Sequence, residues 1–316
     1  MDADPSLAAF AVAVDRPDDQ IRLAHAALLI AAGDQPELDV DDYLGRLAAL
    51  AEAAEPARRA DDALGRLHRL REYLFEELGF SGDRDDYFDP RNSHLNEVLN
   101  RRLGIPITLS LVLIEVGRRL DLEMEGIGLP GHFITGARIA GEQVLLDPFN
   151  RGALLTTESC RELVSRALGR PVRLAPEHFA PVGNRQFLAR MLANLKGVYW
   201  RREAWDKVVR VIDRLLVLNP ASAGERRDRG AAWSNMGRLE RGAADWEQYL
   251  TDFPNAADHE QVRTQLRRVR QKLAQLNGWQ CEAQPKARRA DTRIWRAERA
   301  CECRAGRTST ASRWAS

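Results

Sequence analysis

Residues 105–120 read Ile105-Pro106-Ile107-Thr108-Leu109-Ser110-Leu111-Val112-Leu113-Ile114-Glu115-Val116-Gly117-Arg118-Arg119-Leu120. From Ile107 to Val116 the run is apolar nearly all round, broken only by Thr108, Ser110 and Glu115. A helix without a polar face is buried on most sides, so this one belongs at the centre of its domain. Pro106 suits its first turn, where the missing N–H would have no partner anyway. Glu115 and Arg119 are spaced i,i+4, which lets them pair across one turn.

Upstream, three stretches have helical spacing: Ile21–Ala31 before Gly33, Val40–Ala54 before Pro56, and Leu64–Leu78 before Gly79. Each is expected to pack on one side and carry a polar outer face. The acidic, turn-rich stretch Gly82–Pro90 reads as a loop. Ser93 is placed to cap a short helix through Arg102, on which His94, Asn96 and Glu97 border a cleft or sit on a capped surface.

Downstream, the period falls to that of strands. Met124–Gly128, His132–Ile139 and Val144–Phe149 are short and extended, and Gly141 separates the last two. If Ala140 and Gly141 form an even-length tip, Asp147 pairs across from Ile134, and His132 lies diagonally beside it on the same face. A carboxylate there can fix the imidazole tautomer and support a general base. An odd-length turn would separate the two. The plainer alternatives are a satisfied histidine tying the strand to a neighbour and an Asp147-Pro148 turn ending it. A helix over Thr157–Leu168 and a proline-containing link to Pro181 come next.

From about Ala189 the sequence repeats at roughly the 34-residue period of a tetratricopeptide helix-turn-helix. Aligning Pro220 with Pro254 sets Tyr199 against Trp233, Val208 against Gly242, Ile212 against Trp246 and Leu215 against Tyr249. Small residues are needed where such helices cross; Gly230 and Gly242 supply them, whereas Lys196 departs from the pattern. A helix over 257–276 is expected to cap the stack. The first helix of each hairpin forms the concave side, which places Arg190, Trp200, Arg227 and Ser234 on or near a partner-binding groove. Arg and Trp often anchor interfaces.

The 316 residues carry a net charge of +1, which lacks the basic field of a nucleic-acid or membrane-surface binder. No run approaches the roughly 20 apolar residues that cross a bilayer. The acidic start at Met1–Pro5 is unlike a secretory signal, so a cytoplasmic location is expected. Cys281, Cys301 and Cys303 lack a fourth ligand and a nearby His, so neither a metal site nor a cofactor is expected. The basic stretch 280–316 has no apolar periodicity and is expected to be disordered.

A buried helix followed by a His-bearing and an Asp-bearing strand is the layout of the transglutaminase-like and papain-like fold. Leu103–Ser110, then Gly128-Leu129-Pro130-Gly131-His132-Phe133, then Leu146-Asp147-Pro148-Phe149-Asn150 resemble the bacterial SirB-one family. The match runs from about residue 20 to 277. The resemblance implies an α+β fold: a transglutaminase-like domain with N-terminal helices over 1–180, followed by an all-α tetratricopeptide-type segment with its cap over 185–277.

Active enzymes of that fold begin the central helix with a cysteine facing the histidine. Here that position falls near Pro106–Thr108, which holds none, and the only cysteine before the tail is Cys160. A hydroxyl ionises far less readily than a thiol. His132 and Asp147 are then vestigial parts of a triad. Thr108 and Ser110 remain as hydroxyl candidates, each alternatively bonded to a carbonyl one turn back. The favoured reading is a non-catalytic or regulatory protein that binds another protein through its repeats. The alternatives are an acyl-transfer enzyme, amidase- or peptidase-like, using Ser110 or Thr108 with His132 and Asp147, and a small-ligand binder that uses the same cleft.

Overall fold

The computed structural model describes residues 4–54 and 62–283, with side chains to 276. Most of the tail expected at 280–316, with Cys301 and Cys303, lies outside the described residues. Met1–Arg270 forms one compact unit.

The amino-terminal layer consists of α1 (Pro5–Val14), α2 (Leu23–Ala32), α3 (Val40–Ala53) and α4 (Ala63–Arg71). Helix α1 starts because Asp4 accepts hydrogen bonds from the backbone N–H groups of Ser6 and Leu7, with Pro5 in the first turn. Helix α2 departs from the expected polar outer face: Leu23, Ala24 and every residue from Ala26 to Ala31 are buried. It contacts α1, α3 and later helices, so more than one side is covered. Gly33 comes after it in an ordinary right-handed conformation. A Cβ there would lie 2.8 Å from the Arg214 guanidinium carbon, so the head group would have to shift to admit one.

Helix α4 continues into a π-helical turn at Glu72–Glu77. At the start of the stretch read as a loop, β1 (Ser81–Gly82) pairs in parallel with β2 (Leu103–Gly104). Between them lies α5 (Leu95–Arg101). Its N-cap is His94, not Ser93, and His94 makes no capping bond. His94 and Asn96 are 3% and 2% exposed, which rules out the surface placement.

Helix α6 (Pro106–Arg119) is the expected central element. Leu111, Leu113, Ile114 and Val116 are wholly buried. Glu115 and Arg119 pair at 2.8 Å. An antiparallel sheet packs on it in the order β3 (Glu123–Ile127), β4 (Ile134–Ile139), β5 (Glu142–Asp147), β6 (Ala153–Leu155). The β4–β5 tip is Ala140-Gly141 with φ of 51° and 87°, the left-handed pair a two-residue hairpin turn demands. Thr135 then pairs with Leu146. One step on, Ile134 stands opposite Asp147, so the even-length register is the one formed. Helix α7 (Thr157–Leu168) contributes Cys160 and Val164 to a cluster with Ile134 and Leu145.

Every described helix or strand after Asn184 is a helix: α8 (Asn184–Arg201), α9 (Trp205–Leu218), α10 (Ala223–Asn235), α11 (Leu239–Asp252) and α12 (His259–Ala283). The repeat period is visible in the second helices, since α9 and α11 are offset by 239 − 205 = 34 and 252 − 218 = 34 residues. Lys196 fills its irregular position by bonding Glu225 at 2.7 Å and Asp228 at 3.1 Å. That ties α8 to α10. None of the described helices is long and apolar enough to cross a membrane.

Candidate functional site

The imidazole and carboxylate meet as the hairpin register requires: His132 Nε2 lies 3.1 Å from Asp147 Oδ2. Asp147 is wholly buried and accepts further bonds from Asn150 Nδ2 at 2.6 Å and the backbone N–H of Phe149 at 3.0 Å. Burial alone would raise its pKa, but the His132 and Asn150 bonds outweigh burial and hold it below the ordinary value. The carboxylate also opens the short turn Pro148–Asn150. Asp147 is thus both the imidazole's partner and a turn cap.

Both hydroxyl candidates sit on α6. Thr108 Oγ1 lies 2.7 Å from the Asn92 carbonyl and accepts the Ile105 N–H at 3.2 Å, an arrangement that fixes the start of α6. Ser110 is fully buried and its Oγ has no hydrogen-bond partner among the described residues, so it does not bond back along the helix as expected. No hydrogen bond joins Thr108 or Ser110 to His132. Alternation along β5 contributes to this. Leu146 packs into the core around α6, whereas Leu145 faces the Cys160 cluster, and Asp147 shares Leu145's parity. Cys160 is buried, and burial with the nearby Asp147 charge pushes its thiol up to about 11.

The four residues expected in the repeat groove divide. Trp200, Arg227 and Ser234 line a cavity of about 510 Å³, together with Asn235, Trp246, Gln261, Gln265 and Val269. Arg190 is elsewhere. Helix α8 begins at Asn184, five residues ahead of the expected repeat start, and its first half packs on the sheet through Phe187 and Phe133. Arg190 belongs to that half, and its Nη2 donates to the carbonyls of Leu129 and His132, each at 3.2 Å. Ser234 presents little free donor capacity, since its hydroxyl donates to the Gly230 carbonyl at 2.8 Å. Arg227 is braced by Asp258 at 2.6 Å and Asp228 at 2.8 Å.

Three features had no local signal in the sequence. Tyr87 and Phe149 pack edge to face with centroids 5.9 Å apart, and Phe149 meets the His132 ring at 6.5 Å. Further off, Asp34 is held by the Tyr199 hydroxyl and lies 3.3 Å from His94 Nε2, joining α2 and α8. Those contacts depend on residues far apart in the chain, which periodicity cannot see.

Comparison with known proteins agrees with this architecture. Residues 41–193 match the transglutaminase-like superfamily and residues 195–267 match a tetratricopeptide repeat. A UPF0162 protein of Xylella fastidiosa is 36% identical over 253 residues, 79% of this chain and 90% of the relative. One from Vibrio cholerae is 30% identical over 254 residues, covering 80% and 94%. The chain belongs to the UPF0162 family. It also resembles mouse F-box only protein 21, 31% identical over 142 residues, which is 42% of this chain and 22% of that protein. This chain thus carries a transglutaminase-like domain followed by a tetratricopeptide repeat.

Proposed function

We propose that this UPF0162 protein is a cytoplasmic, non-catalytic interaction protein that binds another protein in the groove of its repeats. Residues 185–277 bind, and residues 1–180 form a transglutaminase-like body that supports them. The observation that carries this reading is the 510 Å³ groove. Its walls combine Trp200 and Trp246 with the amides of Asn235, Gln261 and Gln265. Indole faces supply area and amides pair with peptide backbone. Gln261 and Gln265 make no side-chain hydrogen bond among the described residues, so their donors and acceptors are available.

Acyl transfer through Ser110 or Thr108 has less support: Thr108 is committed to the α6 start, and Ser110 is not bonded to the imidazole. A photo-crosslinking residue placed at Asn235 or Gln265 in living cells tests the proposal. A discrete partner protein should be captured from both positions and lost on Arg227→Ala/Gln261→Ala, while His132→Ala leaves capture unchanged. Capture that survives the groove substitutions, or a cellular phenotype from His132→Ala in a folded protein that still binds, would reverse the assignment.

A further inference from the structure

The two helical repeats carry equivalent residues, and what the first repeat does with them shows what the second lacks. Tyr199 on α8 corresponds to Trp233 on α10, and Lys207 and Arg241 are each the third residue of their helices, α9 and α11. In both repeats the cation stands over the ring. Lys207 Nζ is 5.2 Å from the Tyr199 ring centre, and the Arg241 guanidinium carbon is 4.8 Å from that of Trp233. The first repeat adds a carboxylate from outside the repeats: Asp34, just beyond α2, accepts from the Tyr199 hydroxyl and lies 3.8 Å from Lys207 Nζ. In the second repeat, no described residue accepts from the Trp233 indole N–H. Trp233 is only 6% exposed, and a buried indole N–H ordinarily finds an acceptor. Trp246, 5% exposed, finds one in the Arg227 carbonyl at 3.0 Å.

Trp233 and Arg241 both line a cavity of about 750 Å³, within the size range of small-molecule sites. Leu7, Pro36 and Met236 give it apolar walls, drawn from the α1 start, the segment after α2 and the end of α10. Three carboxylates also line it, and an arginine holds each one: Arg214 reaches Asp4 at 3.1 Å, Arg210 reaches Asp206 at 2.7 Å, and Arg229 reaches Asp213 at 2.7 Å. Arg238 lines the cavity with no described carboxylate within 4 Å. It is exposed, so water alone can satisfy it, and it serves here only to set the sign of the field at the rim.

We propose that this cavity binds a small-molecule carboxylate with an apolar body, of the medium-chain fatty acid type. Its head group takes the place beside Trp233 and Arg241 that Asp34 takes beside Tyr199 and Lys207. Indole and guanidinium groups only donate, so the missing group must accept. A carboxylate accepts through two oxygens and supplies the charge that the arginines favour. The walls of Leu7, Pro36 and Met236 remove the attached chain from water. This cavity shares no lining residue with the repeat groove, so acid binding and partner capture can fail independently.

Decanoate is the probe, added to the full-length protein, with acetate, decanol and decyltrimethylammonium as controls. The Trp233 indole N–H resonance, assigned by its loss in Trp233→Phe, is followed by NMR. Decanoate should move it downfield and saturably. Acetate lacks the apolar body, decanol lacks the charge and the ammonium reverses it, so each should bind at least about tenfold more weakly. Arg241→Gln should weaken decanoate binding by at least about tenfold, the loss of a charge-assisted bond. Because Arg241 also covers the Trp233 ring, Arg238→Gln serves as the second variant. It changes an exposed side chain and should weaken binding several-fold without unfolding the protein. No saturable shift up to about 10 mM decanoate, where a millimolar site would be nearly full, overturns the proposal. Acetate or decanol binding as tightly as decanoate, or undiminished binding in both variants, overturns it as well.

Discussion

Asp147 holds an imidazole with one face of its carboxylate and a chain turn with the other. It accepts from His132, Asn150 and the Phe149 and Asn150 backbone N–H groups, and it is wholly buried. Asp147→Ala leaves those donors unsatisfied and should cost about 1–3 kcal/mol in denaturant unfolding, the desolvation penalty of an orphaned group. The pH dependence has a definite sign. Because the folded pKa is depressed below 3.8, the group's stabilisation is present above that value and is lost as pH falls through the lower folded pKa. The stability gap between wild type and Asp147→Asn should therefore be full at pH 7 and shrink as the pH drops below 3.8. A gap that stays constant to the most acid point at which both proteins remain folded would contradict the assigned bonds. The pairing itself could be read from alternation and a two-residue tip, both local properties. The counterpart Arg190–His132 contact could not, since it joins residues 58 apart through a backbone carbonyl.

Between elements, the repeats are held at the close crossing of α10 and α11, where two glycines replace side chains. A Cβ on Gly230 would lie 2.6 Å from the Trp246 ring, and one on Gly242 would lie 2.8 Å from the Gly230 carbonyl oxygen. The second obstacle is backbone, which cannot swing aside. Gly242→Ala should therefore destabilise the protein by about 1–3 kcal/mol despite alanine's better helix propensity, because overpacking outweighs it. Thermal unfolding of Gly242→Ala beside Gly237→Ala gives the comparison. Gly237 has φ of 73° and open space around its Cβ position, so its loss would arise from backbone strain alone. An unchanged melting temperature for Gly242→Ala would mean that the helices separate freely. These glycines and the proline period were visible in the sequence because the repeat states its own register. Strands β1, β2 and β6 were not, being two or three residues long and too short to show a period.

Across the whole molecule, the first helix meets the repeats at a buried charge. Arg214 on α9 is 1% exposed, and its Nη2 reaches Asp4 Oδ2 at 3.1 Å and the Ser6 hydroxyl. Its Nη1 donates to the Arg210 carbonyl at 3.0 Å, and the guanidinium occupies the space that Gly33 leaves open. A buried ion pair of this kind is weak evidence for net stability, but removing one partner strands the other charge. Asp4→Ala should accordingly be costly, though its carboxylate is 26% exposed and water will replace part of the lost contact. Arg214→Met keeps much of the volume and removes the charge, so the double variant Asp4→Ala/Arg214→Met should be more stable than Asp4→Ala alone. A double-mutant cycle on denaturant unfolding measures the coupling. If the double variant is the least stable of the set, the guanidinium contributes through packing against Gly33 rather than through its charge. In that case Gly33→Ala should be tolerated in the Arg214→Met background, where the head group no longer occupies the Cβ position.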